Sequence, residues 1–178
     1  MRNNIILIGF MGCGKTSVGV RLSYLLKKAM TDTDKMIERL NEQTVAEIFE
    51  RYGEGTFRQM ETECLQKLLQ EPEGQIISVG GGLPIRSENQ ELLKQLGLVI
   101  YLRVTAKTVC ERLSGDMSRP LLQGENPEQR VQELLEKRTP IYESIADIVI
   151  DVDEKSFDVI LSEVVEKMEE RSDEPACN

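Results

Sequence analysis

The sequence predicts a three-layer α/β/α fold in which a five-stranded parallel sheet lies between helices. Three observations carry that expectation. Short runs rich in Ile and Val recur along the chain, segments with helical period separate them, and a glycine-rich loop joins the first run to the first helix. At 178 residues the chain suits one domain of roughly 100 to 200 residues. That domain is expected over residues 1–168, with a mobile lid at about 114–126 and a frayed acidic tail over 169–178.

The elements follow in order. Residues 5–8 are continuously apolar and stop at Gly9, as a strand buried on both faces should. After the loop, Val18, Leu22, Leu25 and Leu26 recur on one face of a helix. A second strand is expected near 29–32. Helical stretches then cover 35–40, 45–51 and 57–69, with Thr44 and Thr56 in N-cap positions for the latter two. Residues 76–79 read as the third strand and run into Gly80-Gly81-Gly82. Ser87-Glu88-Asn89-Gln90 has capping-box spacing for a helix to about Leu96. A fourth strand over 98–102 and a helix over 106–113 lead to an irregular segment holding Gly115, Pro120 and Gly124. Asn126 and Pro127 fit the N-cap and first turn of a helix toward Arg138. A fifth strand over 148–150 and an amphipathic helix over 157–168 complete the pattern.

Composition removes several chemistries. The chain has no histidine, which excludes Ser-His-Asp and Cys-His hydrolysis, His-ligated zinc and a histidine-bearing kinase catalytic loop. Catalysis must therefore rest on carboxylates, Lys, Arg and backbone dipoles. With 22 basic and 31 acidic residues the net charge is −9, which disfavours nonspecific attraction to nucleic acid or anionic lipid. Cys13, Cys64, Cys110 and Cys177 are widely separated and read as reduced cytosolic thiols. The N-terminal apolar run breaks at Gly9 and Gly12, so neither a secretory signal nor a membrane span is expected and a cytoplasmic protein is.

Gly9-Phe10-Met11-Gly12-Cys13-Gly14-Lys15-Thr16 matches G-x-x-x-x-G-K-[ST] between a strand and a helix. Such a loop turns consecutive N–H groups toward phosphate, Lys15 adds a mobile charge, and Thr16 offers a hydroxyl to Mg²⁺. Asp32 and Asp34, two apart in an extended segment, can face one side, near the metal and an acceptor hydroxyl respectively. Arg58 and Glu61 lie three apart on one helix face. The three glycines after the third strand let a small ligand approach backbone N–H groups. Arg119 stands in the irregular segment and Arg138 near the end of the next helix. These residues admit a small-metabolite kinase, including a gluconate or nucleoside monophosphate kinase, or a non-catalytic nucleotide-binding module. A GTPase switch is disfavoured by the lack of N-K-x-D.

Taken together, these ordered motifs resemble shikimate kinase, in the nucleoside monophosphate kinase-like branch of P-loop folds, from about Asn4 to Met168. The resemblance implies ATP-dependent phosphorylation of the 3-hydroxyl of shikimate, in aromatic amino acid biosynthesis, by a monomer using Mg²⁺. It implies that Lys15, Asp34 and Arg119 are catalytic and that Thr16 and Asp32 serve the metal. ATP would lie on Gly12, Cys13, Gly14, Lys15, Thr16, Ser17, Arg112 and Arg119. Shikimate would be bound by Asp34, Arg58, Gly80, Gly81, Gly82 and Arg138, with Glu61 orienting Arg58. The family's basic residue and Pro in the loop after the fifth strand are not matched by Asp151-Val152-Asp153-Glu154-Lys155-Ser156; Lys155 is the substitute expected at the adenine.

Overall fold

A computed structural model describes residues 3–114 and 126–173. Its strands are β1 (Asn4–Ile8), β2 (Met30–Asp32), β3 (Ile76–Ser78), β4 (Gly97–Arg103) and β5 (Ile148–Asp151). All pair in parallel, in the order β2-β3-β1-β4-β5. The helices are α1 (Lys15–Leu26), α2 (Thr33–Asn41), α3 (Val45–Leu68), α4 (Ser87–Leu96), α5 (Ala106–Arg112), α6 (Pro127–Ile145) and α7 (Phe157–Asp173). Every residue of β1 is buried. Because successive side chains point to opposite faces, both faces of the central strand are covered, which is why its sequence is apolar without alternation. No helix among the described residues is long and apolar enough to cross a membrane.

Topology positions the site. Strands β2, β3 and β1 are neighbours, and their carboxyl ends carry the Asp32 segment, the triple glycine and the Gly9 loop. In an open parallel sheet, ligands bind beyond those carboxyl ends, at the point where strand order reverses. Motifs remote in sequence are thereby brought together by strand order alone.

Several local expectations are corrected. Residues 45–68 form one element with a kink at Gly53, whose φ of 77° interrupts the helix. Thr44 does make a full capping box with Glu47. Thr56, by contrast, lies inside the element, where its hydroxyl donates to the Tyr52 carbonyl at 2.9 Å, so it caps nothing. Ser87 is already helical, Arg86 holds the N-cap position, and no side-chain cap bond forms. Asn126 has φ 54° and makes no cap bond either, although Pro127 opens α6 as expected. That helix continues through Pro140 to Ile145. Proline removes one ladder donor, but Tyr142 and Ile145 beyond it are buried and hold the last turn against the core. Helix α7 reaches Asp173, past the end expected at Met168. The expected lid at about 114–126 lies almost wholly outside the described residues, as do 174–178 of the tail.

Candidate active site

A cleft of about 470 Å³ opens at the carboxyl ends of β1, β2 and β3. At one end lie Gly12, Gly14, Lys15, Thr16 and Ser17 of the first loop and helix, with Asp32 beside them. Asp34, Arg58, Arg138 and the triple glycine line the other end. Sequence positions more than a hundred residues apart thus share one cavity.

The loop between β1 and α1 is built for an anion. Gly14 takes a left-handed conformation, φ 97°, at the N-cap of α1; a residue with a Cβ would be strained there. The first turn of α1 contains no acidic residue of its own and Gly14 makes no side-chain cap, so the N–H groups at the positive helix end are left for an anion. Lys15 Nζ donates to the carbonyls of Gly9 at 2.9 Å and Phe10 at 3.0 Å, which holds the ammonium across the loop. Cys13 turns its side chain into the core, so any contact it makes with a ligand comes from its backbone.

Asp32 has two tasks, one for each oxygen. Its Oδ1 accepts from the N–H groups of Asp34 at 3.1 Å and Lys35 at 3.3 Å, capping α2. Its Oδ2 accepts from Thr16 Oγ1 at 3.2 Å. A hydroxyl and a carboxylate side by side at the phosphate end are hard oxygen donors that suit Mg²⁺. Among the described residues no group of three or more His, Cys, Asp or Glu could form an all-protein metal cage.

At the acceptor end, charge is packed tightly. Arg58 Nη1 donates to Glu61 Oε2 at 2.8 Å, confirming the contact expected from their spacing. Glu61 is fully buried; burial pushes its carboxyl up to about 7, and the Arg58 guanidinium opposes that rise only in part. Asp34 is also raised, first by burial and then by Asp32, against the lowering pull of Lys15. Oδ1 of Asp34 and Oε1 of Glu61 are both buried without a hydrogen-bond partner.

The triple glycine lines the cleft, and it also makes room for neighbouring side chains. A Cβ on Gly80 would stand 2.6 Å from Asp34 Oδ1 and 3.0 Å from Glu61 Oε1. A Cβ on Gly82 would collide with the Arg58 guanidinium. Two of the three glycines therefore make room for the protein's own charged side chains. The Gly80 N–H is already given to Thr33 Oγ1 at 3.1 Å, and the Gly81 carbonyl accepts from Tyr142 Oη at 2.6 Å. Arg138 lies over the Phe10 ring, 5.4 Å from its centroid.

At the nucleotide end, Arg112 spans two elements. Its Nη1 donates to the Gly12 and Cys13 carbonyls, each at 3.3 Å, and its Nη2 to the Val152 carbonyl at 2.8 Å. Lys155 does not line the cleft; it pairs with Glu163 of α7 at 2.7 Å. The two aspartates of its loop are committed as well, Asp151 to Arg103 at 2.6 Å and Asp153 to Thr105 at 2.8 Å. Phe157 lines the cleft instead, with the Arg21 guanidinium 4.2 Å from its ring centroid. Sequence reading treated Phe157 only as the start of an amphipathic helix and missed this role; an aromatic residue just after the loop was the available signal. Arg119 lies outside the described residues.

The family model described as shikimate kinase matches residues 11–169. The chain belongs to the shikimate kinase family. A relative named shikimate kinase from Thermodesulfovibrio yellowstonii is 41% identical over 169 residues, covering 95% of this chain and 96% of that protein. Another, from Methylococcus capsulatus, is 47% identical over 155 residues, covering 87% and 86%. The Acinetobacter baumannii shikimate kinase, solved in complex with shikimate, superposes with a TM-score of 0.90 at 36% identity, covering 98% of this chain and 97% of that one. A deoxyadenosine kinase from M. mycoides, at 16% identity and TM-score 0.61, shares the fold. The five-stranded P-loop architecture expected from the sequence is therefore also that of the family.

Proposed function

We propose that this protein transfers the γ-phosphoryl group of ATP to the 3-hydroxyl of shikimate, giving shikimate 3-phosphate and ADP. The observation that carries the reading is the single cleft, which has a phosphate cradle at one end and the Asp34, Arg58 and Arg138 cluster at the other. The shikimate bound by the A. baumannii relative supports the choice of acceptor.

The division of labour follows from residue chemistry. Arginine guanidinium groups match a planar carboxylate, so Arg58 and Arg138 take the carboxylate of shikimate. Asp34 accepts a hydrogen bond from the acceptor hydroxyl and receives its proton as the oxygen attacks the γ-phosphorus and the bond to the β–γ bridging oxygen breaks. Its upward-shifted carboxyl makes it a stronger base than an exposed aspartate. Lys15 and the amides at the start of α1 bind the phosphate oxygens, where charge neutralisation contributes most of the rate in a loose phosphoryl-transfer transition state. Arg112 and Phe157 border the adenine. Arg119 is assigned to the transferred phosphoryl group through the family resemblance. Thr16 and Asp32 are the residues that hold Mg²⁺, which when bound neutralises phosphate charge.

A coupled ADP-release assay comparing shikimate, gluconate and nucleoside monophosphates tests the assignment. Turnover with shikimate alone is expected. Turnover with a nucleotide and not with shikimate would refute it.

A further inference from the structure

The pairing of Arg58 with Glu61 accounts for one side of the guanidinium only. On the other side, Glu54 Oε1 accepts from Arg58 Nη2 at 2.9 Å and from Nε at 3.2 Å. An arginine carries five N–H donors in a planar fork. With Nε, one Nη2 hydrogen and one Nη1 hydrogen engaged, two donors remain without a partner among the described residues, one on each terminal nitrogen. A carboxylate is recognised best by two parallel N–H groups.

The surroundings show where those donors stand. Gly82 lies on the cleft wall, and the place its side chain would take is filled by Nη1 and Nη2 of Arg58, so both terminal nitrogens stand at that wall. Glu61 grips from the interior, its side chain 1% exposed, while Glu54 grips from the solvent side at 66%. The three residues form one ladder on α3, Glu54 to Arg58 across four positions and Arg58 to Glu61 across three.

We propose that Glu54 is a second positioning residue for the substrate carboxylate. It fixes the Nε edge of Arg58, so that the two remaining donors stay directed along the cleft wall. The role rests on the shikimate reading given above. An opposing role can be stated for the same contact, in which Glu54 occupies donors that the substrate needs and must be displaced. The two roles predict opposite signs. A positioning residue lowers the KM for shikimate, and a displaced one raises it. The observed geometry favours positioning, since the edge taken by Glu54 leaves a donor on each terminal nitrogen.

Steady-state kinetics of Glu54→Ala and Glu54→Gln decide the matter. For Glu54→Ala the shikimate KM should rise about two- to fivefold, the range for an exposed ion pair, with kcat and the KM for ATP unchanged. Glu54→Gln retains an acceptor oxygen and should recover most of the loss. An unchanged or lowered shikimate KM in Glu54→Ala overturns the proposal, as does a parallel change in kcat or in the KM for ATP, which would indicate general loosening. If the unaltered protein does not turn over shikimate, the underlying reading fails and the role of Glu54 falls with it. If it does and Glu54→Ala matches it, only the role of Glu54 fails.

Discussion

Asp34 occupies the space that a side chain at residue 80 would need, since a Cβ on Gly80 would lie 2.6 Å from its Oδ1. The acceptor carboxylate and the loop after β3 are thus fitted to each other, and neither tolerates growth of its partner. Gly80→Ala must displace the carboxylate that the proposed reaction sets beside the acceptor hydroxyl. A misplacement of about 1 Å near the chemistry can cost on the order of a hundredfold in rate, whereas overpacking costs about 1–3 kcal/mol in stability. The expected outcome is a fall in kcat of at least tenfold in a protein that still folds, measured by turnover alongside thermal melting.

Glu61 yields a prediction about pH. Its carboxyl is raised from the model-compound value of 4.5 to about 7, so between those values the folded protein holds a proton that the unfolded chain has lost. Stability from this group is therefore present at low pH and is lost as pH rises from about 4.5 to 7. Glu61→Gln, which stays neutral, should lack this slope. Thermal melts of both proteins between pH 5 and 8 should show the unaltered protein losing ground to the variant as pH rises. Parallel curves would contradict the buried-carboxyl account.

Phe157 lines the cleft, whereas Lys155, expected at the adenine, pairs with Glu163. Phe157→Ala should raise the KM for ATP about fivefold or more, in line with the usual cost of losing a base-stacking aromatic, and leave the KM for shikimate unchanged. Lys155→Ala should change neither, because Lys155 is paired with Glu163. Two-substrate kinetics on both variants measure the contrast.

The contrast between Lys155 and Phe157 marks how far the sequence could be read. The phosphate loop and the five strands were legible because their signals are local: a motif of fixed spacing between strand and helix, and unbroken apolar runs in strands covered on both faces. Asp34, Arg58 and Arg138 were legible through their order along the chain. The reason for Gly80 and Gly82 was not, since it depends on where α2 and α3 deliver Asp34 and Arg58 across the sheet edge. Ser87 and Thr56 had the residue type of a cap but not the backbone position, which the kink at Gly53 and the turn at Leu83–Ile85 determine. Lys155 had the right charge, yet α7 places Glu163 within its reach.

Separate variants test the two ends of the cleft. Lys15→Met removes the only side-chain ammonium of the phosphate loop and should reduce turnover by at least a thousandfold, as expected when a transition-state charge partner is lost. Arg58→Ala should act mainly through the KM for shikimate and leave ATP binding intact. Titration of each variant with ATP and with shikimate by calorimetry separates the two effects. Loss of ATP binding in Arg58→Ala would contradict the division of the cleft.

The central claim, that this cleft joins the ATP γ-phosphate to one hydroxyl of shikimate, is tested most directly by phosphorus–proton correlation NMR of the reaction mixture. The account predicts one new phosphomonoester coupled to the proton at carbon 3 of shikimate, formed in equal amount with ADP. Phosphate released only as inorganic phosphate, or esterified at another position, would contradict it.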